Sequence, residues 1–190
     1  MAVVGILGGV FDPPHLGHVA LARAAVRELG LEKLLVLVVA DPGHKRATLP
    51  AETRLELARL AFADVPESVV ELDPHARTVD SLEERRLRDA LFILGADELA
   101  DFENWKSPDR VLELVQLGVA MRPGTTGSEL DAARSRLSVP GRVVAFEMEP
   151  VAISSSEIRD RVARGDPIDR LVPSSVAREI SRLGLYSGPQ

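Results

Sequence analysis

The sequence predicts an α/β fold: a doubly wound, mostly parallel sheet with helices on both faces, which makes three layers. Short runs of Val, Ile and Leu alternate with segments whose apolar residues have helical spacing, as expected of βαβ units. The runs are apolar throughout, as in strands covered on both sides. A chain of 190 residues, 45% hydrophobic and 27% charged, is typical of a globular protein. We therefore expect a single domain over residues 1–190.

The elements follow from these periodicities and from residues that end helices. Predicted strands are Val3–Leu7, Lys33–Ala40, Val69–Leu72, Leu91–Leu94, Leu117–Met121 and Val143–Phe146. Predicted helices are Gly17–Leu29, Ala51–Ala63, Val79–Arg88, Pro108–Leu114, Ser128–Leu137, Ser155–Ala163 and Ser174–Arg182. Gly30 is placed to end the first helix, whereas Ser107 and Ser154 are placed as N-caps, the latter with Glu157 as its capping-box partner.

Composition excludes several classes of function. The formal net charge is -6, so no broad basic field exists to hold a nucleic acid. The chain contains no cysteine, which rules out disulfides and thiolate metal sites. We see no basic leader, and the longest apolar run, residues 34–40, is too short to span a membrane. These features favour a cytoplasmic protein with small-molecule substrates and leave a homo-oligomer open.

Residues 8–18, with the sequence G-G-V-F-D-P-P-H-L-G-H, form the most informative segment. They lie between the first strand and the first helix, where glycines let backbone amides approach an anion. His15 and His18 are three residues apart, so they can share one face of the first helical turn, where the macrodipole favours negative charge. The alternative is a glycine-rich turn with incidental histidines. The complete pattern favours a phosphate site.

A second phosphate-site candidate is residues 153–159, I-S-S-S-E-I-R. Hydroxyls and amides at a helix start bind phosphate well, and Arg159, one turn inside, can reach back as a bidentate clamp. The alternative is an ordinary serine N-cap followed by a solvated arginine. The histidine segment favours the phosphate interpretation, since two anion-binding motifs suit one nucleotide.

Two further features lie at predicted strand ends. His44 and Lys45 follow the second strand and could meet another phosphate, or form an exposed basic loop. Gly95 and Asp97 end the fourth strand, where a carboxylate can accept bonds from ribose hydroxyls. Trp105, the only tryptophan, could be a stacking platform or half-buried packing.

Together these motifs resemble those of the nucleotidylyltransferase superfamily and, within it, the bacterial nicotinate mononucleotide adenylyltransferases. The resemblance covers most of the chain and rests on G-G-V-F-D-P-P-H-L-G-H, P-G-H-K, R-T-V-D-S-L, G-A-D-E-L…W, M-R-P-G and I-S-S-S-E-I-R. The ending R-L-G-L-Y is also similar to that of the family. It implies a Rossmann-like nucleotidylyltransferase fold in which helices from about residue 154 carry the second phosphate motif.

The resemblance also implies a reaction, in which ATP and nicotinate mononucleotide give nicotinate adenine dinucleotide and pyrophosphate. Catalytic roles are implied for His15, His18 and Arg159. ATP-binding roles are implied for Gly8, Gly9, Phe11, Gly95, Asp97, Ile153, Ser154, Ser155 and Ser156. Contacts to the pyridine nucleotide are implied for His44, Lys45, Thr78 and Trp105. A Mg²⁺ ion would accompany ATP, held by phosphates and water and by no protein side chain.

The chain departs from the family pattern in three places. Ser156 stands where threonine is usual and keeps the hydroxyl, Gly43 replaces a proline, and Arg77 stands where tyrosine is usual. The last change leaves the preference for acid over amide open, because Arg77 could point inward or face solvent. Other functions also stay open: transfer to nicotinamide mononucleotide or phosphopantetheine, a cytidylyltransferase, a synthetase-like tRNA-binding fragment, or a nucleotide-sensing module without turnover.

Overall fold

A parallel sheet forms the centre of the protein. The computed structural model describes residues 3–43, 47–121, 131–132, 134–135 and 137–188. Within these residues six strands pair in the order β3-β2-β1-β4-β5-β6, every pair parallel. The strands are β1 (Val4–Gly9), β2 (Lys33–Val39), β3 (Ser68–Asp73), β4 (Leu91–Gly95), β5 (Gln116–Met121) and β6 (Val143–Glu147).

Helices connect the strands. They are α1 (Leu16–Glu28), α2 (Ala51–Phe62), α3 (Thr78–Glu84), α4 (Ala96–Ala100), α5 (Pro108–Leu114), α6 (Ser155–Arg164) and α7 (Ser174–Leu183). Two 3₁₀ turns cover Phe102–Asn104 and Pro140–Arg142. Over the described ranges, no helix is long and apolar enough to cross a membrane.

Alternate strand residues point to two hydrophobic clusters, one on each face of the sheet. Leu34, Val36 and Val38 of β2 belong to a cluster with buried residues of α1, α2, α6 and α7. The intervening Leu35 and Leu37 belong to a second cluster with buried residues of α3, α4 and α5. This period of two, with both faces covered, produces the unbroken apolar runs in the sequence. The three-layer α/β prediction is confirmed.

The strand order reverses direction at β1, which lies between β2 and β4. In a doubly wound sheet, a crevice opens outside the carboxyl ends of the strands at such a switch point, and ligands bind there. The segment after β1 and the start of α4 after β4 flank this crevice. The histidine motif therefore lies where this topology places a ligand.

The structure differs from the predicted elements in three places. β1 continues through Gly8 and Gly9, which pair with Leu37 and Val38 of β2, so the two glycines end the strand rather than form a loop. Helix α3 ends at Glu84, because Arg86 adopts a left-handed φ of 53°. Helix α4 is not predicted by periodicity, being only five residues long. The predicted helix Ser128–Leu137 lies largely outside the described residues.

The predicted helix ends are partly confirmed. Gly30 has a φ of +60° and follows Leu29, the C-cap of α1, as a C′ glycine does. Ser154 caps α6, because its hydroxyl accepts a hydrogen bond from the Glu157 amide at 3.1 Å. Glu157 completes no capping box and pairs with Arg161 at 3.0 Å. Ser107 precedes α5 in a left-handed conformation and makes no side-chain cap.

A buried arginine binds the carboxyl ends of β1 and β2. Arg54 of α2 is 1% exposed and donates hydrogen bonds to four backbone carbonyls, those of Val10, Val39, Ala40 and Leu49. Burial lowers the pKa of Arg54, and the charge of Asp12 opposes that effect. The guanidinium holds the segments that leave the two strands, so it shapes one wall of the crevice.

Arg54→Met should lower the free energy of unfolding by about 2–4 kcal/mol, because it leaves buried carbonyls without donors. Arg59 on the same helix is exposed, so Arg59→Met should change that free energy by no more than about 0.5 kcal/mol. Urea unfolding of both variants measures the difference. Equal losses would contradict the assigned role of Arg54.

Candidate phosphate-binding site

The two histidines of the first motif are stacked at the start of α1. His15 is the N-cap residue and His18 lies three residues later, and their ring centroids are 3.6 Å apart with the planes 23° from parallel. The backbone N–H of His15 donates a hydrogen bond to Nδ1 of His18 at 3.2 Å. The helix start thus fixes both imidazoles through one hydrogen bond and one stacking contact.

This hydrogen bond determines the tautomer of His18. Since Nδ1 accepts a proton, the neutral ring carries its own proton on Nε2, which can donate to an oxygen. Burial and, to a lesser extent, the neighbouring His15 together lower the pKa of His18 to about 3. Burial likewise lowers the pKa of His15 to about 4. Both rings are therefore neutral hydrogen-bonding groups at pH 7.

Packing around Phe11 explains the second glycine of the motif. Phe11 has a left-handed φ of 52° and is 2% exposed. Its ring lies across Gly9, where a Cβ would come within 2.8 Å of it, and it meets the His18 ring edge-on at 5.0 Å. Any side chain at Gly9 would displace this ring. Gly9 thus helps to position His18 through Phe11, which the sequence pattern does not indicate.

The second motif binds directly to the first. Arg159 of α6 donates from Nη1 to the backbone carbonyl of Asp12 at 2.7 Å. Ser155 donates from its hydroxyl to the carbonyl of Pro13 at 2.8 Å. Nη2 of Arg159 also donates to the Ser156 hydroxyl at 3.3 Å. The structure therefore brings the two predicted phosphate motifs to one place.

The other two residues of the second motif have local roles. Ser154 caps the helix, as described above. Ile153 is half-buried and packs against the first hydrophobic cluster. Both residues shape the start of α6 around the hydroxyls of Ser155 and Ser156.

Asp12, Tyr186 and Arg54, to which the sequence motifs assign no role, complete this junction. The Asp12 carboxylate, 4% exposed, accepts hydrogen bonds from the Tyr186 hydroxyl and from the Thr48 amide. Arg54 lies close by on α2. A signal for Arg54 exists, since it shares the apolar helical face of Leu57. No short-range sequence pattern predicts the contact between Asp12 and Tyr186.

The ribose-side candidates lie across the crevice. Gly95 is the last residue of β4 and the N-cap of α4. Its N–H donates to the Glu98 carboxylate at 2.6 Å. Asp97 is exposed in the first turn of α4. The carboxylate of Asp97 is thus available to a ligand at the carboxyl end of the sheet.

The ring-side candidates follow β3 and α4. Trp105 is half-buried, edge-on to Phe92 at 5.6 Å and tilted against Phe102 at 5.1 Å. Thr78 is the first residue of α3 and is half-buried, whereas Arg77 before it is exposed. His44 and Lys45 lie outside the described residues, so the basic loop after β2 stays a prediction.

Comparison with known proteins identifies relatives along nearly the whole chain. A family model described as Cytidylyltransferase-like matches residues 6–161. A protein of Roseiflexus sp. is 37% identical over 97% of this chain and 98% of its own, and one of Bordetella petrii is 39% identical over 98% and 100%. Both carry the name "probable nicotinate-nucleotide adenylyltransferase".

Solved structures share the fold. The Plasmodium falciparum nicotinic acid mononucleotide adenylyltransferase, complexed with NaAD, superimposes with a TM-score of 0.79 at 16% identity. The superposition covers 100% of this chain and 99% of that one. The same enzyme complexed with APC gives a TM-score of 0.77 at 15% identity, over 100% and 99% of the two chains.

The family model covers most of the chain, and the relatives match it almost from end to end. The fold, the switch-point crevice and the joined phosphate motifs agree with that match. The chain belongs to the nicotinate-nucleotide adenylyltransferases, within the cytidylyltransferase-like family.

Proposed function

We propose that this protein transfers the adenylyl group of ATP to nicotinate mononucleotide, giving nicotinate adenine dinucleotide and pyrophosphate. The observation that carries the proposal is the junction of the two motifs. His15 and His18 are stacked at the carboxyl end of β1, and Arg159 and Ser155 bind the carbonyls of Asp12 and Pro13 beside them. Imidazole and guanidinium donors at one point suit a polyphosphate. The names of the relatives support the choice of substrates.

The reaction needs positioning and charge stabilisation rather than a base. A phosphate oxygen of nicotinate mononucleotide is already an anion near pH 7, so it can attack the α-phosphorus of ATP directly. The new phosphorus–oxygen bond forms as the bond to the β-phosphate oxygen breaks, and pyrophosphate leaves with that electron pair. Nε2–H of His18 donates to the α-phosphate oxygens that gain charge, with His15 beside it. Arg159 stabilises the departing pyrophosphate.

We propose that Mg²⁺ binds with ATP. Within the residues that the structure describes, no group of three His, Asp or Glu side chains is placed to hold a metal ion. The ion would be held by phosphate oxygens and water, where it would neutralise charge on the phosphates. Asp97 would serve the ribose, and Gly95, Gly8, Gly9 and Phe11 would shape the nucleotide side of the crevice.

The pyridine nucleotide would occupy the side of the crevice near Trp105. The indole presents a partly exposed ring, held from behind by Phe92 and Phe102. Thr78 would lie beside the pyridine carboxylate, and His44 and Lys45 would contact the phosphate. Arg77, which precedes Thr78, is exposed, and the preference for the acid is proposed from the names of the relatives.

A pyrophosphate-release assay tests the proposal. The purified protein is incubated with ATP, Mg²⁺ and one acceptor: nicotinate mononucleotide, nicotinamide mononucleotide, phosphopantetheine or glycerol phosphate. We expect the highest kcat/KM with nicotinate mononucleotide. Preference for another acceptor would overturn the substrate assignment but keep adenylyl transfer. Release with none of them would favour a nucleotide-binding module without turnover.

His18→Asn should lower kcat by about 10²–10³, the usual cost of removing one preorganised donor to a developing charge. The asparagine amide oxygen can replace Nδ1 as the acceptor for the His15 N–H, so the helix start is kept while Nε2–H is lost. Circular dichroism and the melting temperature control for folding. A folded His18→Asn protein with wild-type kcat would remove His18 from the mechanism.

Trp105→Ala should raise KM for the pyridine nucleotide tenfold or more and leave KM for ATP nearly unchanged, because stacking on a base contributes roughly 1–3 kcal/mol. Trp105→Phe keeps an aromatic face and should recover most of the loss. KM is measured separately for each substrate. Equal effects on both substrates, together with a large fall in stability, would show that Trp105 acts only in packing.

The stability of the ligand-free protein should fall as the pH decreases from about 6.5 to 4. The two histidines have lowered pKa values of about 4 and 3 in the folded protein, so below pH 6.5 the unfolded chain binds protons that the fold excludes. Each histidine changes the free energy of unfolding by at most about 1.4 kcal/mol per pH unit. In the double variant His15→Asn/His18→Asn, the pH dependence caused by the histidines should disappear. Urea unfolding at several pH values measures it. An unchanged dependence would contradict the assignment of neutral histidines.

A further inference from the structure

Asp12 lies inside the histidine motif but has no role in the chemistry proposed above. Its carboxylate is buried and accepts two hydrogen bonds from distant parts of the chain. The Tyr186 hydroxyl, 174 residues away, donates to Oδ1 at 2.7 Å, and the Thr48 amide donates to Oδ2. Asp12 therefore ties the segment after α7 and the segment before α2 to the histidine loop.

Tyr186 is held so that its hydroxyl reaches this carboxylate. Gly184 ends α7 with a φ of 61°, and Tyr186 has a left-handed φ of 61° as well. The side chain is 6% exposed, and its ring belongs to the first hydrophobic cluster. Burial and the charge of Asp12 raise the pKa of Tyr186 above its usual value, so the hydroxyl stays protonated and remains a donor.

The backbone next to this carboxylate is the part of the loop that the second phosphate motif binds. Arg159 donates to the carbonyl of Asp12 itself, and Ser155 to that of Pro13. On the other side, only Pro13 and Pro14 separate Asp12 from His15, and proline rings restrict the path of the backbone. A shift of Asp12 would displace both the histidines and the partners of α6.

We infer that Tyr186 is a positioning residue for adenylyl transfer: through its hydrogen bond to Asp12 it holds the loop segment on which His15, Arg159 and Ser155 depend. This rests on the proposed function for its kinetic consequence, but the geometric consequence is independent of it. The hydroxyl is the informative atom, because a phenylalanine would fill the same space in the hydrophobic cluster.

Tyr186→Phe tests the inference with little change in packing. It removes one donor from a buried carboxylate, and we expect kcat to fall about ten- to a hundredfold, the range in which small displacements of catalytic groups lie. Ile180→Val is the matched control, since Ile180 is 2% exposed in the same cluster and lies on α7. The control should lose stability and keep wild-type kcat.

A double-mutant cycle separates the bond from a general loss of stability. If Tyr186 acts through Asp12, Tyr186→Phe/Asp12→Ala should have the same kcat as Asp12→Ala alone, because the bond is already absent. Multiplicative losses in the double variant would overturn the inference. So would a kcat of Tyr186→Phe equal to that of Ile180→Val.

The imidazole ¹⁵N signals of the ligand-free protein provide a readout that does not require activity. Tyr186→Phe should shift the signals of His15 and His18, whereas Ile180→Val should leave them in place. Unchanged signals in Tyr186→Phe would overturn the inference. A wild-type protein that releases no pyrophosphate would instead overturn the proposed function, and the signals would still decide the role of Tyr186.

Discussion

Two hydrogen bonds from α6 to the loop after β1 hold the site together. Arg159 donates to the carbonyl of Asp12, 147 residues away in the sequence, and Ser155 donates to that of Pro13, 142 residues away. These bonds join the two motifs. Each motif alone is an ordinary helix start. Together they surround the crevice beside β1 with imidazole, hydroxyl and guanidinium groups. The sheet order supplies the crevice, and the contacts of the loop after β1 decide which side chains line it.

The charged arginines and the neutral histidines have different electrostatic roles. The protein carries a net charge of -6, so under the proposed function a polyphosphate would be attracted by local cations such as Arg159. The histidines are neutral and act as hydrogen-bond donors, which avoids placing further positive charges in a buried region. Arg54 compensates its own burial with four carbonyl oxygens and holds the segments that leave β1 and β2, on one side of the crevice.

Much of this arrangement can be predicted from the sequence. The six strands are recognisable because strands covered on both faces are apolar without interruption. His15 and His18 can be placed on one helical turn by their spacing alone. Helix α4 cannot be found by its period, since five residues are too few to show one. The pairing of Asp12 with Tyr186 depends on where the chain goes after α7, and no local spacing encodes a contact between residues so far apart. The role of Gly9 is also hidden, because it depends on the left-handed conformation of Phe11.

Both motifs should converge on the phosphates of one nucleotide. A crystal structure of the protein with a non-hydrolysable ATP analogue, methylene-bridged between the α- and β-phosphates, tests it most directly. We expect an α-phosphate oxygen within about 3 Å of Nε2 of His18 and the β- or γ-phosphate bound by the Arg159 guanidinium. Phosphates bound away from the carboxyl end of β1, without contact to His18 or Arg159, would contradict it.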